Sequence, residues 1–496
     1  MRVVVIGAGL GGLSAAAHLV GAGHDVTVVE RESRPGGRAG VIREAGFVLD
    51  TGPTVLTMPH LVEATFAAAG REMAQYVTIE PVDPMYRAVY ADGSVLSVRA
   101  GRDAMREEIR TFANAREAGA FGEFCDWVTE LYQLEMPRFI DTNYDSVLDL
   151  LPAWRAALDL VRHGAFGRLD EKVASFFDDD RLRRIFSFQS LYAGLAPHDA
   201  LALYSVITYM DMVAGVYAPK GGMTAIATGL ARAIRDAGAS MRYGTPVSRI
   251  LRRGDGSVTG VELGSSDRLV ADAVVCNVDL PVAYRTLLGG VDAPRVARRG
   301  TYSPSCVLWV AGVRGLPPDG VARHNIHFGK AWDESFKALI KRGARMKDPS
   351  IMVGVASSHD PTLAPEGCST IYALEPVPNL DGRIDWARHG ERIRLELRQR
   401  VAELGYPTDE VVVERWYDPL DWESMGLERG TPFSLAHTFR QTGPFRPNNV
   451  DRRVGGLVFT GASTLPGVGV PMVLVSGKLA ARRVDEYAQE TAVLRW

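Results

Sequence analysis

Val3-Val4-Val5-Ile6-Gly7-Ala8-Gly9-Leu10-Gly11-Gly12 is the stretch that decides how this chain folds. Its four leading β-branched residues suit a strand buried on both faces, as in a parallel sheet. Gly7, Gly9 and Gly12 then make a GxGxxG pattern, and Leu13 to Val20 reads as a helix. In that order Gly7 allows a tight turn, Gly9 lets a pyrophosphate approach the backbone, and Gly12 lets helix and strand pack closely. The helix N-terminus faces the phosphates. A second strand, Val26-Thr27-Val28-Val29, ends at Glu30, placed to accept a hydrogen bond from a ribose hydroxyl. Strand, helix and acid together turn a common glycine pattern into a dinucleotide site.

Outward from this unit, Arg31 and then Arg34-Pro35-Gly36-Gly37-Arg38 follow at once. Paired glycines permit a second close backbone approach, and the Arg38 guanidinium is a fixed fork of donors for a phosphate oxygen. A simple NAD site rarely needs this segment, and ERxxRPGGR after the second strand resembles the amine oxidase-like flavoproteins, which implies FAD as the dinucleotide. Arg43 to Asp50 reads as a hairpin turning at Gly46. At the other end of the chain, Gly456 to Thr460 is again a buried-strand pattern. It runs into the glycine-rich turn Gly461–Pro471 and a helix from Met472 to Ala488. A strand, a glycine turn and a helix N-terminus make a second site for phosphate or a flavin edge.

The expected fold class is α/β, with a Rossmann-type FAD-binding domain assembled from both ends of the chain. Residues 1–100, 221–300 and 441–496 are assigned to it. Residues 101–220 form a helical substrate and membrane-associating part, and 301–440 a mixed-sheet substrate domain. Candidate helices in the middle are Gly122–Glu135, Leu182–Ala193 and Ala200–Val213, and strands resume at Val247–Leu251, Val258–Leu263 and Ala273–Cys276. The loop Lys220-Gly221-Gly222 enters a further helix at Thr224, with Lys220 placed to support negative charge on a reduced flavin or simply to lie on the surface.

Composition narrows the function classes. The chain has 496 residues, 46% hydrophobic and 23% charged, enough for several cores. A net charge of -3 lacks the basic excess that phosphate backbones require, so no nucleic-acid partner is expected. Cys125, Cys276, Cys306 and Cys368 form no CxxC pair and read as buried free thiols. His324 and His327 have the spacing of a ligand pair on a helix but no acidic or thiol partner beside them, so no metal site is expected. The uncharged run from Val3 to Val20 carries its glycines at phosphate-binding spacing, which reads as mature structure rather than a signal or a span.

These motifs acquire a specific resemblance when taken together. GAGLGGLSAA with ERxxRPGGR, KVASFFDDDRLRRIFSFQSLYAGLAPHDA, GVYAPKGGM, LAPEGCSTIYALEPVPNL, PFSLAHTF with FRPNN, and GASTLPGVGVP occur in order along nearly the whole chain. The sequence resembles the bacterial-type phytoene desaturase family of carotenoid synthesis, within the amine oxidase-like FAD flavoproteins. The departure is Leu465, where many relatives carry a polar residue such as His.

The expected cofactor-binding set is Gly7, Gly9, Leu10, Gly12, Glu30, Arg31, Gly37, Arg38, Val247, Gly461, Val470 and Met472. The resemblance implies a hydrophobic polyene substrate, the cytoplasmic membrane surface as a peripheral docking site, and an electron acceptor such as quinone or oxygen. No catalytic triad stands out. Asp145 and Asp149 are the candidate proton acceptors, alongside water. Three rival readings share the FAD motifs: an amine oxidase-like enzyme on a polar substrate, a flavin-dependent polyene isomerase, and a non-catalytic FAD- or lipid-binding protein.

Overall fold

The computed structural model describes residues 1–493. Its first layer is a five-stranded, all-parallel sheet in the order Leu457–Phe459, Ala273–Cys276, Arg2–Ile6, Asp25–Val29, Ser240–Arg242. The opening strand is apolar throughout because both its faces are covered. Val3 and Val5 pack with Leu13, Leu19, Ile226, Leu230 and Leu474, from helices Leu10–Gly21, Thr224–Asp236 and Val470–Val493. Val4 and Ile6 pack on the other side with Ile250 and Val261, from the meander Val247–Arg252, Val258–Leu263, Arg268–Val270.

The first and last helices are pressed together. A Cβ added to Gly477 would stand 2.5 Å from that of Ser14, whose Oγ donates to the Leu474 carbonyl at 2.7 Å. Sequence-distant ends therefore meet at the point where the glycine loop begins.

The second layer is a seven-stranded mixed sheet in the order Val411–Tyr417, Ser305–Arg314, Cys368–Val377, Ile351–Gly354, His324–His327, Tyr86–Val89, Val95–Val98. Val307, Trp309, Ala311 and Val313 bury one face under helix Trp386–Glu403. Cys306, Leu308, Met352, Tyr372 and Leu374 turn the other face toward an internal cavity. His324 and His327 lie in one of these strands rather than on a helix. An odd spacing in a strand sends them to opposite faces, so they make no ligand pair. The His324 ring nitrogens lie 3.2 and 3.1 Å from the carbonyls of Met85 and Thr54, one of which takes the ring's single N–H, and His327 is held by the Tyr406 hydroxyl at 3.0 Å.

The helical part departs from the expected three helices. Helix Ala115–Glu135 starts a full two turns before Gly122, because Asn114 caps it by accepting from the Glu117 N–H at 3.0 Å. The run expected at Leu182–Ala193 splits into helix Asp180–Ile185 and a 3₁₀ turn, Phe188–Ala193. Ala200–Val213 breaks into a 3₁₀ turn, the short helix Ser205–Thr208 and a π-turn, Tyr209–Val213. Apolar periodicity survives these breaks, while β-branched Val206, Ile207 and Thr208 weaken the helix locally. Three cysteines are buried free thiols, and Cys368 is only half-buried. Among the described residues no helix is long and apolar enough to cross a membrane.

Candidate active site

One large cavity, about 1270 Å³, runs from the glycine loop of the parallel sheet to the helical part. Gly7, Gly9, Leu10, Glu30, Arg31, Gly37, Arg38, Val247, Gly461, Val470 and Met472 all line it. Gly12 does not. It sits behind the loop, where a Cβ would overlap the Gly7 carbonyl oxygen. Gly7 makes the turn at φ +96°, and a Cβ on Gly37 would lie 3.1 Å from the Gly9 Cα. The two glycine segments thus close on each other, leaving bare backbone along one wall of the cavity.

The Glu30 carboxylate is positioned by that same backbone. It accepts from the Ala8 N–H at 2.6 Å and from the Glu32 N–H at 2.9 Å, and the residue is 6% exposed. Each oxygen keeps a lone pair for a further donor. Arg38 reaches back to the Pro432 carbonyl at 3.0 Å and stands 3.9 Å from Asp279. Asp279 is tied to the C-terminal turn by the Ser463 hydroxyl and to the Glu428 N–H at 2.9 Å. The C-terminal turn is itself held by Arg446, 3% exposed, which donates to the Ala462 carbonyl at 2.7 Å and to that of Thr464 at 3.0 Å.

Beyond the glycine walls the lining becomes apolar: Phe139, Ile140, Leu160, Phe166, Leu203, Ile207, Leu339, Phe439 and Phe445. Two carboxyls interrupt it, and neither stands out in the sequence. Glu135 ends the long helix, 6% exposed, its Oε1 without a partner among the described residues. Burial holds it well above the usual carboxylate range. Asp211, 2% exposed in the π-turn, accepts from the Tyr86 hydroxyl. Burial pushes it up to about 7, against the pull of the Tyr86 hydroxyl. A lone acid inside Tyr209-Met210-Asp211-Met212-Val213 is the signal that could have found it.

Other expected residues lie elsewhere. Asp145 is ion-paired to Arg483 at 2.8 Å, and Asp149 caps its own turn by accepting from the N–H groups of Asp145 and Ser146 at 2.6 and 2.9 Å. Neither lines the cavity. They serve a salt bridge and a helix start, as charged residues on a surface turn commonly do. Lys220 is exposed and away from the cavity. The glycines after it admit the protein's own Asp50, which accepts from the Met223 N–H at 3.0 Å; a Cβ on Gly222 would stand 2.9 Å from Asp50 Oδ1. That helix N-terminus is therefore already satisfied by an internal anion. Leu465 is buried and lines the cavity, and it offers no proton-handling group.

A family model described as flavin containing amine oxidoreductase matches residues 10–485. The chain belongs to this family. The chain is 48% identical to a phytoene dehydrogenase of Streptomyces griseus, over 97% of this chain and 95% of that one. It is 37% identical to a zeta-carotene-forming phytoene desaturase of Myxococcus xanthus, over 99% and 95%. Among solved structures, cyclohexylamine oxidase from Brevibacterium oxydans superposes with a TM-score of 0.58 at 18% identity, covering 98% and 99%. That likeness speaks for the fold alone.

The protein is an FAD-dependent oxidoreductase. Its cavity fits such a group on its own evidence. Gly9 and Gly37 leave a wall that side chains would fill, and Glu30 stands at the loop with acceptor capacity free. A cavity above the ~300–1,000 Å³ usual for one small ligand leaves room for a second, apolar molecule beside the dinucleotide.

Proposed function

We propose that the protein desaturates a long polyene, phytoene or a related carotenoid, using FAD bound between its two glycine turns. The observation that carries this reading is the single cavity joining a dinucleotide cradle to a long apolar lobe. Gly7, Gly9 and Gly37 would admit the pyrophosphate, Glu30 the ribose, Arg38 a phosphate oxygen, and Gly461 to Met472 the flavin edge. An allylic C–H is far too weak an acid for any side-chain base to remove first. FAD supplies a two-electron acceptor for hydride, after which the neighbouring C–H becomes acidic enough to lose a proton. The protein's share is to hold the chain in line, keep water out with the apolar wall, and receive that proton.

The mouth of the apolar lobe also has the chemistry of a membrane-docking face. Val147, Leu148, Leu151, Trp154 and Val161 are exposed on the turn Val147–Ala153 and helix Trp154–Arg162, while Leu150, Ala157 and Leu160 from the same segment line the cavity. Phe439 and Phe445 are exposed beside the cavity as well. Exposed arginines at 138, 155, 162 and 440 accompany these residues. An apolar face with arginines around it suits insertion into the headgroup layer of an anionic, cytoplasmic leaflet, where a lipid-dissolved polyene could enter directly.

The test is anaerobic. Purified holoprotein is mixed with phytoene in liposomes while flavin bleaching and polyene absorption are recorded together. Bleaching with a red-shifted polyene spectrum is the expected result, and its progress counts the double bonds added. A flavin that stays oxidised with phytoene and related carotenoids, yet bleaches with an amine, overturns the reading.

A further inference from the structure

We propose that Asp211, hydrogen-bonded by Tyr86 and flanked by Tyr192, takes the proton that the polyene loses once its hydride has gone, an assignment that rests on the desaturase reading above.

The cavity holds several candidate bases, and most are already committed. Glu30 is bound by two backbone N–H groups at the nucleotide end, and Asp279 by Ser463 and the Glu428 N–H. His437 is half-buried and held well below the usual imidazole range, which makes it a weak acceptor. Glu135 Oε1 has no hydrogen-bond partner among the described residues, and burial alone raises the carboxyl well above its usual range, with no donor to draw it back. Asp211 differs from all of these. One oxygen takes the Tyr86 hydroxyl and the other, Oδ2, is buried with no hydrogen-bond partner among the described residues. A carboxyl near 7 is both ionised enough to accept a proton and basic enough to hold it.

Asp211 lines the cavity together with Thr54, Val55 and Met472. Behind Tyr86 lies the His324 ring, at 5.6 Å between centroids, with its Nε2 3.1 Å from the carbonyl of Thr54, which lines the cavity. Met210 and Met212 belong to one hydrophobic cluster with Val55 and with Met472 from the first turn of the last helix. The backbone here is a π-turn, a local form that recurs at functional sites.

The groups facing Asp211 are neutral near pH 7. They are Tyr86 from its strand and Tyr192 and Gln189 from the 3₁₀ turn, with Thr208 of the short helix donating to Gln189 Oε1. Behind them stand His324, pushed down to about 3, and on the long helix Tyr132, stacked on Tyr209 at 4.4 Å, and Glu135.

The step balances. Hydride leaves one carbon with two electrons, bound for the flavin. The vicinal C–H bond then breaks, its electron pair forms the new C=C, and its proton goes to the Asp211 carboxylate. Reoxidation by a two-electron, two-proton acceptor of the quinone class removes both and restores the carboxylate.

The experiment measures single-turnover flavin bleaching by phytoene in liposomes, from pH 5.5 to 8.5, in wild type and in Asp211→Asn, Asp211→Glu and Tyr86→Phe. In wild type the rate is expected to rise with pH through about 7. Asp211→Asn should keep its flavin and a single cooperative melting transition but bleach about a hundredfold or more slowly, with no such rise. Asp211→Glu should recover part of the rate and the rise. Tyr86→Phe removes a donor that stabilises the carboxylate, so the midpoint should move to higher pH. Wild-type bleaching in Asp211→Asn overturns the proposal. Should that variant fail to hold flavin, an unmoved midpoint in Tyr86→Phe overturns it instead. A wild type that phytoene does not bleach overturns the desaturase reading itself.

Discussion

The buried guanidinium of Arg446 donates to the Ala462 carbonyl at 2.7 Å, fastening the C-terminal glycine turn to the loop Leu435–Gln441. Removing it leaves several buried carbonyls without donors. Arg446→Met should cost about 3 kcal/mol of stability and weaken FAD retention. Thermal melting and flavin occupancy after gel filtration check both. Arg446→Lys reaches fewer of these carbonyls and should fall between the two.

Glu30 has two duties, and two substitutions separate them. Its carboxylate caps the Ala8 N–H and keeps lone pairs toward the cradle. Glu30→Gln preserves an acceptor for Ala8 but removes the charge offered to a ribose. FAD affinity should fall by about tenfold to a hundredfold, as loss of a charged hydrogen bond predicts, with little change in melting. Glu30→Ala should lower both. Fluorescence titration of apoprotein with FAD gives the affinity, and unchanged binding in Glu30→Gln removes the ribose role.

Gly12 and Gly9 make a second contrast. A Cβ on Gly12 would overlap the Gly7 carbonyl, so Gly12→Ala should pry helix from strand and destabilise the fold by about 3 kcal/mol. A Cβ on Gly9 meets the Asn277 side-chain amide at 2.9 Å and the Gly37 Cα at 3.9 Å, on the cavity side. Gly9→Val should therefore abolish FAD retention while sparing more of the fold. Melting of the two apoproteins distinguishes them.

The fold was legible where its causes are local. Glycine spacing, the β-branched strand and Glu30 lie within thirty residues, and each is forced by backbone geometry that sequence displays directly. The site was less legible where its chemistry is made by distant parts. Asp211 is unusual only because Tyr86, 125 residues earlier, buries and binds it. Likewise, the glycines at 221 and 222 read as a ligand cradle, but Asp50, 173 residues before Met223, fills that position. Asp145 and Asp149 were plausible acids whose burial could not be read from their neighbours in sequence.

The exposed apolar segment predicts how the protein behaves with lipid. Leu148, Leu151 and Trp154 are 69%, 65% and 57% exposed, a costly arrangement in water for a surface with no partner. Leu148→Ser, Leu151→Ser and Trp154→Ser together should abolish flotation with anionic vesicles and leave bound flavin unchanged. Flotation equal to wild type would place the docking face elsewhere.

Asp211 also predicts a stability profile that needs no substrate. Its carboxyl rises from 3.8 to about 7 on folding, so between those values the folded chain holds a proton that the unfolded chain releases. Stability must then fall as pH rises from about 4 to about 7, and stay level above. Asp50, pushed up to about 6, acts in the same direction, so the wild-type curve alone does not isolate one group. The difference between Asp211→Asn and wild type does. The variant should gain on wild type steadily between pH 5 and 7, at roughly 1.4 kcal/mol for each step of one in pH. Parallel melting curves for the two proteins across that range would mean that Asp211 titrates in the folded chain as it does in water.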